Sequence, residues 1–160
     1  RLRGQRPTLA SALDPIEERL LGEWLPPEGM LATGFGHGDP HPLNVIWGEP
    51  GTIRAVIDWE FAGIKPAAYD AALIIGCVGI EEPGALAGPL VRTLLGDLRA
   101  GGHPAGAEPA LWALVLAIRF AWLADWLRRS DEQMVALETD YIRLLVEKRT
   151  ELSMAWPGSS

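Results

Sequence analysis

The sequence predicts an α+β fold, mostly helical, in which one short β-hairpin packs on about five helices. Two short apolar runs, Val45-Ile46-Trp47 and Ile53 to Ile57, flank Gly48-Glu49-Pro50-Gly51. Pro and Gly at those positions read as a turn, and β-branched Ile53, Val56 and Ile57 suit a strand. On both sides of this hairpin, apolar residues recur at helical spacing over long segments, separated by Pro- and Gly-rich breaks.

The elements follow in order. Residues 1–7 (RLRGQRP) are basic and expected to be loose. Asp14-Pro15 reads as an N-cap followed by Pro at the first helical position, with Ile16, Leu20, Leu21 and Trp24 as the apolar stripe. Pro26-Pro27 stops this helix, and 29–35 is a short apolar approach to His37. After Asp58 comes a loop through Gly63 and Pro66. A buried helix over 69–78 opens with Asp70 as its cap. Glu82-Pro83 starts another helix, with Leu86, Leu90, Leu94, Leu95 and Leu98 facing inward. Residues 101–109 form a turn-rich connection.

The segment 110–127 is almost continuously apolar, but Arg119, Asp125 and scattered Trp residues favour a buried core helix over a membrane span. Asp131 caps the last helix, with Met134, Leu137, Tyr141, Leu144 and Leu145 as its buried positions. Residues 156–160 are expected to fray.

Length and composition bound the function. The 160 residues make one domain's worth, expected as a single domain over 1–160 with its core at 14–150. Hydrophobic residues make up 48% and the formal net charge is −7, with Lys only at Lys65 and Lys148. That balance argues against nucleic acid, whose phosphates need clustered basic side chains. Cys77 is the one cysteine and has apolar neighbours, so it reads as an inert, buried thiol. No membrane partner and no signal peptide are indicated, and a cytoplasmic location is expected. The first residue is Arg1 rather than Met, so a longer reading frame is expected.

Chemistry concentrates in residues 35–70. A hairpin brings its outer ends together, so Asn44 before the first strand and Asp58 after the second should lie side by side. An amide oxygen beside a carboxylate suits a hard cation such as magnesium. Asp39 precedes Asn44 by five residues on the incoming loop. Protein kinases have this spacing: an Asp that takes the substrate hydroxyl proton, an Asn five residues on for magnesium, and a second metal Asp after the next strand.

The text HGDPHPLN, VIDWEFAG and AAYDAA resembles the aminoglycoside phosphotransferase-like family of small-molecule kinases, which includes choline and homoserine kinases. The resemblance implies the C-terminal lobe of a protein-kinase-like fold. It further implies ATP as phosphoryl donor, Mg2+ on Asn44 and Asp58, Asp39 as catalytic base and a small-molecule hydroxyl as acceptor. His37 would support the loop from beneath, and Asp70 would brace its backbone. His41 would contact phosphate or substrate, or else pack the loop. Ile46 would lie under adenine, or else serve as a core strand residue. Lys65-Pro66 departs from the family's usual Asp-Pro.

Only 36 residues precede His37, with no Lys among them, and no Gly-rich strand pair. The N-terminal nucleotide-clamping lobe is therefore expected to be absent from this chain. A second lobe or another chain should cover the hairpin, and the chain alone should be inactive. The glycines of Gly34-Phe35-Gly36-His37-Gly38 precede no helix and are not read as a phosphate loop.

Two other classes stay open. One is a non-catalytic binding module that keeps this fold. The other is a metal-dependent hydrolase using His37, Asp39 and His41 as an HxDxH set, although Pro40 and Pro42 disfavour a regular strand there. The acids Asp125, Asp131, Glu132, Glu138 and Asp140, interleaved with Arg128, Arg129 and Arg143, read as a solvated helix face rather than a pocket.

Overall fold

Apolar spacing and Pro punctuation produce an α+β arrangement dominated by helix. The computed structural model describes residues 6–27 and 29–156. Helix α1 spans Pro7–Arg19 and runs on into a π-helical turn, Leu20–Trp24, closed by Leu25 N–H donating to the Leu20 carbonyl at 2.9 Å. Strand β1 is Thr33–Gly36, β2 is Val45–Trp47, β3 is Ile53–Val56 and β4 is Gly63–Pro66. Then come α2 (Tyr69–Glu81), α3 (Pro89–Ala100), α4 (Leu111–Arg129), α5 (Glu132–Glu147) and α6 (Arg149–Ala155), with short 3-10 turns between several of them.

The expected hairpin forms: β2 and β3 are antiparallel, with Val45 opposite Val56 and a register irregularity between Ile46 and Trp47. A second pair was not anticipated. Strands β1 and β4 are antiparallel, Thr33 opposite Pro66 and Gly36 opposite Gly63, where the sequence suggested an approach segment and a loop. Gly, Lys and Pro give no β-propensity signal in these stretches, so the pairing comes from tertiary contact.

Helix α1 begins eight residues earlier than expected, with Pro7 at its first turn and Pro15 inside it. Pro15 withholds one i→i−4 donor, but Ala10, Leu13 and Leu20 are buried along one stripe, and that burial outweighs the missing bond. Of the segment expected to be loose, residues 1–5 lie outside the described residues, whereas Arg6 pairs with Glu132 at the start of α5.

The helix expected from Glu82-Pro83 is split. A 3-10 turn, Pro83–Ala87, is followed at Gly88 by α3, and Leu90 turns outward. Pro89 forces that break, because it cannot continue the preceding turn's hydrogen bonds. Asp131 does cap α5, accepting the Met134 N–H at 3.1 Å. Its buried face is Val135, Glu138, Thr139, Tyr141, Ile142 and Leu145, so Leu137 lies outside the stripe assigned to it.

The core is a helical sandwich. Helix α4 lies between α2 and α5, burying Leu111, Val115, Leu116 and Ile118 against Ile75, Ile142 and Leu145. Trp112 meets Trp24 edge-on at 5.0 Å and donates its indole N–H to the Leu145 carbonyl at 3.0 Å. The core reaches past residues 14–150 to Leu13, Leu152 and Trp156. Trp156 was expected to fray. It is buried instead, donating to the Leu86 carbonyl at 2.8 Å, and residues 157–160 lie outside the described residues. Among the described residues, no helix is long and apolar enough to cross a membrane.

Candidate active site

The two strand pairs flank one loop, 37–44, and a closed circuit of hydrogen bonds fixes its shape. The Asp39 N–H donates to His37 Nδ1 at 3.2 Å. With Nδ1 accepting, the His37 proton sits on Nε2, which donates to the Ile57 carbonyl at 2.9 Å. The Ile57 N–H donates to the Asn44 carbonyl at 2.9 Å. Asn44 Nδ2 closes the ring, donating to the Asp39 carbonyl at 3.0 Å and to Asp39 Oδ2 at 3.1 Å. Three residues of the loop are thus tied to each other and to Ile57 at the end of the hairpin, with Asp58 next in the chain.

Asp70 supports the circuit from below. Its two carboxylate oxygens accept the backbone N–H groups of His37 at 2.7 Å and Gly38 at 2.9 Å. Such charge-assisted bonds are about twice as strong as neutral ones. Asp70 is not the cap of α2; Ala68 holds that position without a side-chain bond, and Asp70 sits in the first helical turn. Gly36 packs directly on that carboxylate, and an added Cβ would lie 3.1 Å from Asp70 Oδ2.

Gly38 adopts φ +87°, and a Cβ there would run into the Phe61 carbonyl oxygen and lie 2.6 Å from Lys65 Cε. Only glycine fits that combination. Asp58, at φ +64°, is one of two non-glycine residues in the left-handed region among those described. Asp tolerates that region better than most residues. Its carboxylate is exposed and takes no hydrogen bond or ion pair from any described residue.

Each proposed site residue can now be located. Asp39, Asn44 and His37 join directly, and Asp58 follows Ile57 beside them. His37 is buried and lies against Trp59, the rings tilted by 54° with centres 4.6 Å apart. His41 Nδ1 accepts the Leu43 N–H at 3.3 Å, a local loop-capping role that leaves Nε2 outside the bond. Ile46 is 42% exposed on β2, so it is not the core strand residue that one reading made it.

The HxDxH hydrolase reading fails on His37, because both its ring nitrogens are committed to protein groups. Among the described residues, no group of three or more His, Cys, Asp or Glu stands where it could hold a metal. Cys77 is half-buried, and burial pushes its thiol up, away from a nucleophile's range.

The acids of α4 and α5 divide. Asp125 pairs with Arg128 and Arg129, Asp140 with Arg143 and Glu132 with Arg6, as a solvated face would. Glu138 does not belong with them: it is buried against Arg119, with Nε and Oε2 3.6 Å apart. The sequence signal for that pair was Arg119 itself, an arginine in an otherwise apolar helix, which requires a buried acid opposite.

The donor set suits a hard cation. Asn44 spends its amide nitrogen on Asp39 and keeps its oxygen outside those bonds, and Asp58 offers an unengaged carboxylate. Oxygen donors of this kind match magnesium rather than zinc.

Comparison with known proteins agrees in direction. The model of a family described as the phosphotransferase enzyme family matches residues 1–109. A homoserine kinase of Caulobacter sp. (strain K31) is 32% identical over 164 residues, a match covering 98% of this chain and 50% of that protein. The chain thus spans about half the length of that curated relative. No solved structure matches it at comparable stringency.

Proposed function

The chain belongs to the phosphotransferase enzyme family, and from that premise we propose that it is the C-terminal lobe of a protein-kinase-like enzyme. In this reading the enzyme transfers the γ-phosphoryl group of ATP to a hydroxyl of a small molecule, in the cytoplasm. A hydroxy amino acid of the homoserine type is the first acceptor to try, given the relative's name. The observation that carries the reading is the circuit Asp39–His37–Ile57–Asn44, which joins the Asp39 carboxylate to the Asn44 amide and ends one residue before Asp58.

Asp39 would receive the acceptor's hydroxyl. Its Oδ2 is engaged by Asn44, so Oδ1 is the oxygen that takes the proton as the hydroxyl oxygen bonds to the γ-phosphorus. The bond from that phosphorus to the β–γ bridging oxygen breaks, and ADP leaves with its electron pair. Asn44 and Asp58 would hold Mg2+, which supplies charge neutralisation on the phosphates when bound. His37 keeps the loop in register through its neutral, Nε2-protonated ring, and Asp70 prevents the His37–Gly38 backbone from drifting. Positioning of this kind matters, since misplacement of about 1 Å costs roughly a hundredfold in rate.

Exposed Ile46, Trp47, Ile53 and Ile57 give the hairpin an apolar outer surface suited to an adenine ring and to a covering lobe or chain.

The test is Asp39→Asn in the full-length protein that carries this chain. Turnover should fall about 10²- to 10⁴-fold while nucleotide affinity and thermal midpoint hold. Turnover close to wild type would refute the assignment.

A further inference from the structure

Lys65 lies where the motif reading registered only a departure. It sits on β4 opposite Gly34, whose lack of a side chain leaves the lysine stem uncrowded across the pair. The stem then crosses the loop: Lys65 Cε occupies the space that a Cβ on Gly38 would need, one residue before Asp39. The ammonium stands 5.1 Å from the centre of the Tyr69 ring, a cation–π distance. Lys65 is half-buried and makes no ion pair among the described residues, with Asp39 or any other acid. In a chain of net charge −7 with two lysines, an ammonium left unpaired beside the reactive loop stands apart.

Tyr69 ties this cation to the reactive carboxylate. Burial first, then the charges of Asp70 and Asp39, push the Tyr69 phenol up, so Asp39 lies within electrostatic reach of the ring that carries Lys65. The two flanks of Asp39 therefore differ. The hairpin flank carries Asn44 and Asp58, the oxygen donors suited to a metal on the phosphates. The β4–α2 flank carries a cation on an aromatic ring and no free carboxylate, because both Asp70 oxygens are bound to backbone. A phosphoryl donor belongs on the first flank, and the acceptor must approach from the second.

We propose that the Lys65 ammonium, held over Gly38 and the Tyr69 ring, binds the carboxylate of the acceptor and makes the enzyme selective for hydroxy acids. This rests on the phosphotransferase reading and adds the recognition group to it. A carboxylate on Lys65 would leave the acceptor's hydroxyl on the Asp39 side, while Lys65 stays clear of the base itself. The same ammonium could instead meet the transferred phosphoryl group, an anion of related chemistry, and the experiment separates the two.

The experiment uses the full-length protein carrying this chain, as wild type, Lys65→Met, Lys65→Arg and Asp39→Asn. Four acceptors are compared: L-homoserine, 4-hydroxybutyrate (carboxylate without ammonium), 3-amino-1-propanol (ammonium without carboxylate) and choline. Asp39-dependent phosphorylation by the wild type should favour the two carboxylates. Lys65→Met should raise KM for those two by about tenfold to a hundredfold with kcat nearly unchanged. KM for the other two acceptors should not move, and Lys65→Arg should recover part of the loss.

A fall in kcat for every acceptor alike would assign Lys65 to the phosphoryl group and overturn the carboxylate role. So would Asp39-dependent turnover confined to 3-amino-1-propanol or choline, which leaves the phosphotransferase reading intact. No Asp39-dependent transfer to any of the four would overturn both.

Discussion

In the strand-and-loop region, residues 33–66, Leu43, Trp47, Phe61 and Ile64 are each more than half exposed, whereas α2, α4 and α5 bury Ile75, Val115 and Ile142 completely. The first region is held by direction: the closed circuit through His37 and Asn44, the two Asp70 bonds and two short strand pairs. The second is held by area, through one contiguous cluster of buried apolar side chains. Directional bonds place atoms well but contribute only about 0.5–1.5 kcal/mol each on balance. Buried area stabilises without specifying any single contact. The molecule therefore separates its tasks: the helices hold the chain folded, and the loop holds the geometry. Asp70 on α2 crosses that division, its carboxylate accepting two backbone N–H groups of the loop.

The largest effect should come from breaking the helical side at the buried ion pair Arg119–Glu138. Arg119 and Glu138 are almost wholly buried, and Arg119 Nε, Glu138 Oε2, Trp126 Nε1 and Tyr141 OH are enclosed with no hydrogen-bond partner. Arg119→Met leaves the Glu138 carboxylate without its counter-charge. Removing one partner of a buried pair costs about 3–5 kcal/mol. Urea denaturation should show this as a lower midpoint for the whole transition. A loss under about 0.5 kcal/mol would mean the pair behaves as a surface bridge, and the contrast between the regions would lose its strongest support.

A smaller and more local effect should follow from Asp70→Asn. The amide keeps one oxygen as acceptor but gives up the charge and the second acceptor, so the Gly38 N–H or the His37 N–H loses its partner. Loss of a hydrogen bond to a charged group costs about 1.5–3 kcal/mol. Because the loop is held by direction rather than area, that cost should appear as faster amide exchange at His37 and Gly38 and lower turnover. The exchange of α4 core amides should hardly change. Acceleration spread evenly over α4 and α5 would show that loop and helices unfold as one unit, against the division drawn above.

How much of this was legible in the sequence follows the same division. The hairpin could be read because Ile53, Val56 and Ile57 are β-branched and Gly48-Glu49-Pro50-Gly51 is a turn. The meeting of Asp39 with Asn44, and the place of Asp58 just past β3, could be read from spacing, which reflects how far a loop and a hairpin reach. The β1–β4 pair could not, since Gly34, Gly36, Gly63 and Pro66 carry no strand preference and pair only because the loop between them is pinned. The start of α1 was misread at Pro15, where a local rule about proline lost to a buried stripe on either side of it. Glu138 was assigned to the surface with its acidic neighbours. Its burial depends on Arg119, which lies on another helix. Local chemistry and the adjacent hairpin were visible, and pairings between elements far apart in sequence were not.

The smallest effect is the pH dependence of that same pair, and it tests whether charge or shape holds α4 to α5. Burial raises the Glu138 carboxyl above its ordinary value, with Arg119 pulling the other way. The folded state thus keeps the proton to higher pH than the unfolded chain does. Stability contributed by this group is fully present below the ordinary carboxylate range and is lost as pH rises through the raised folded value. Glu138→Gln cannot ionise, so it should lack that decline. Near the acid end its midpoint should match wild type, and it should gain relative to wild type as pH rises towards neutrality. The Arg119→Met penalty should run the opposite way, largest near neutral pH and shrinking on acidification, because a protonated Glu138 no longer needs a counter-charge. Combining Arg119→Met with Glu138→Gln should then remove most of the pH dependence of the single Arg119 variant. Urea midpoints for the four proteins, taken at several pH values between about 4 and about 7, decide it. Parallel curves for wild type and Glu138→Gln would mean that the carboxyl titrates as it does in the unfolded chain, and that the buried pair owes its place to packing alone.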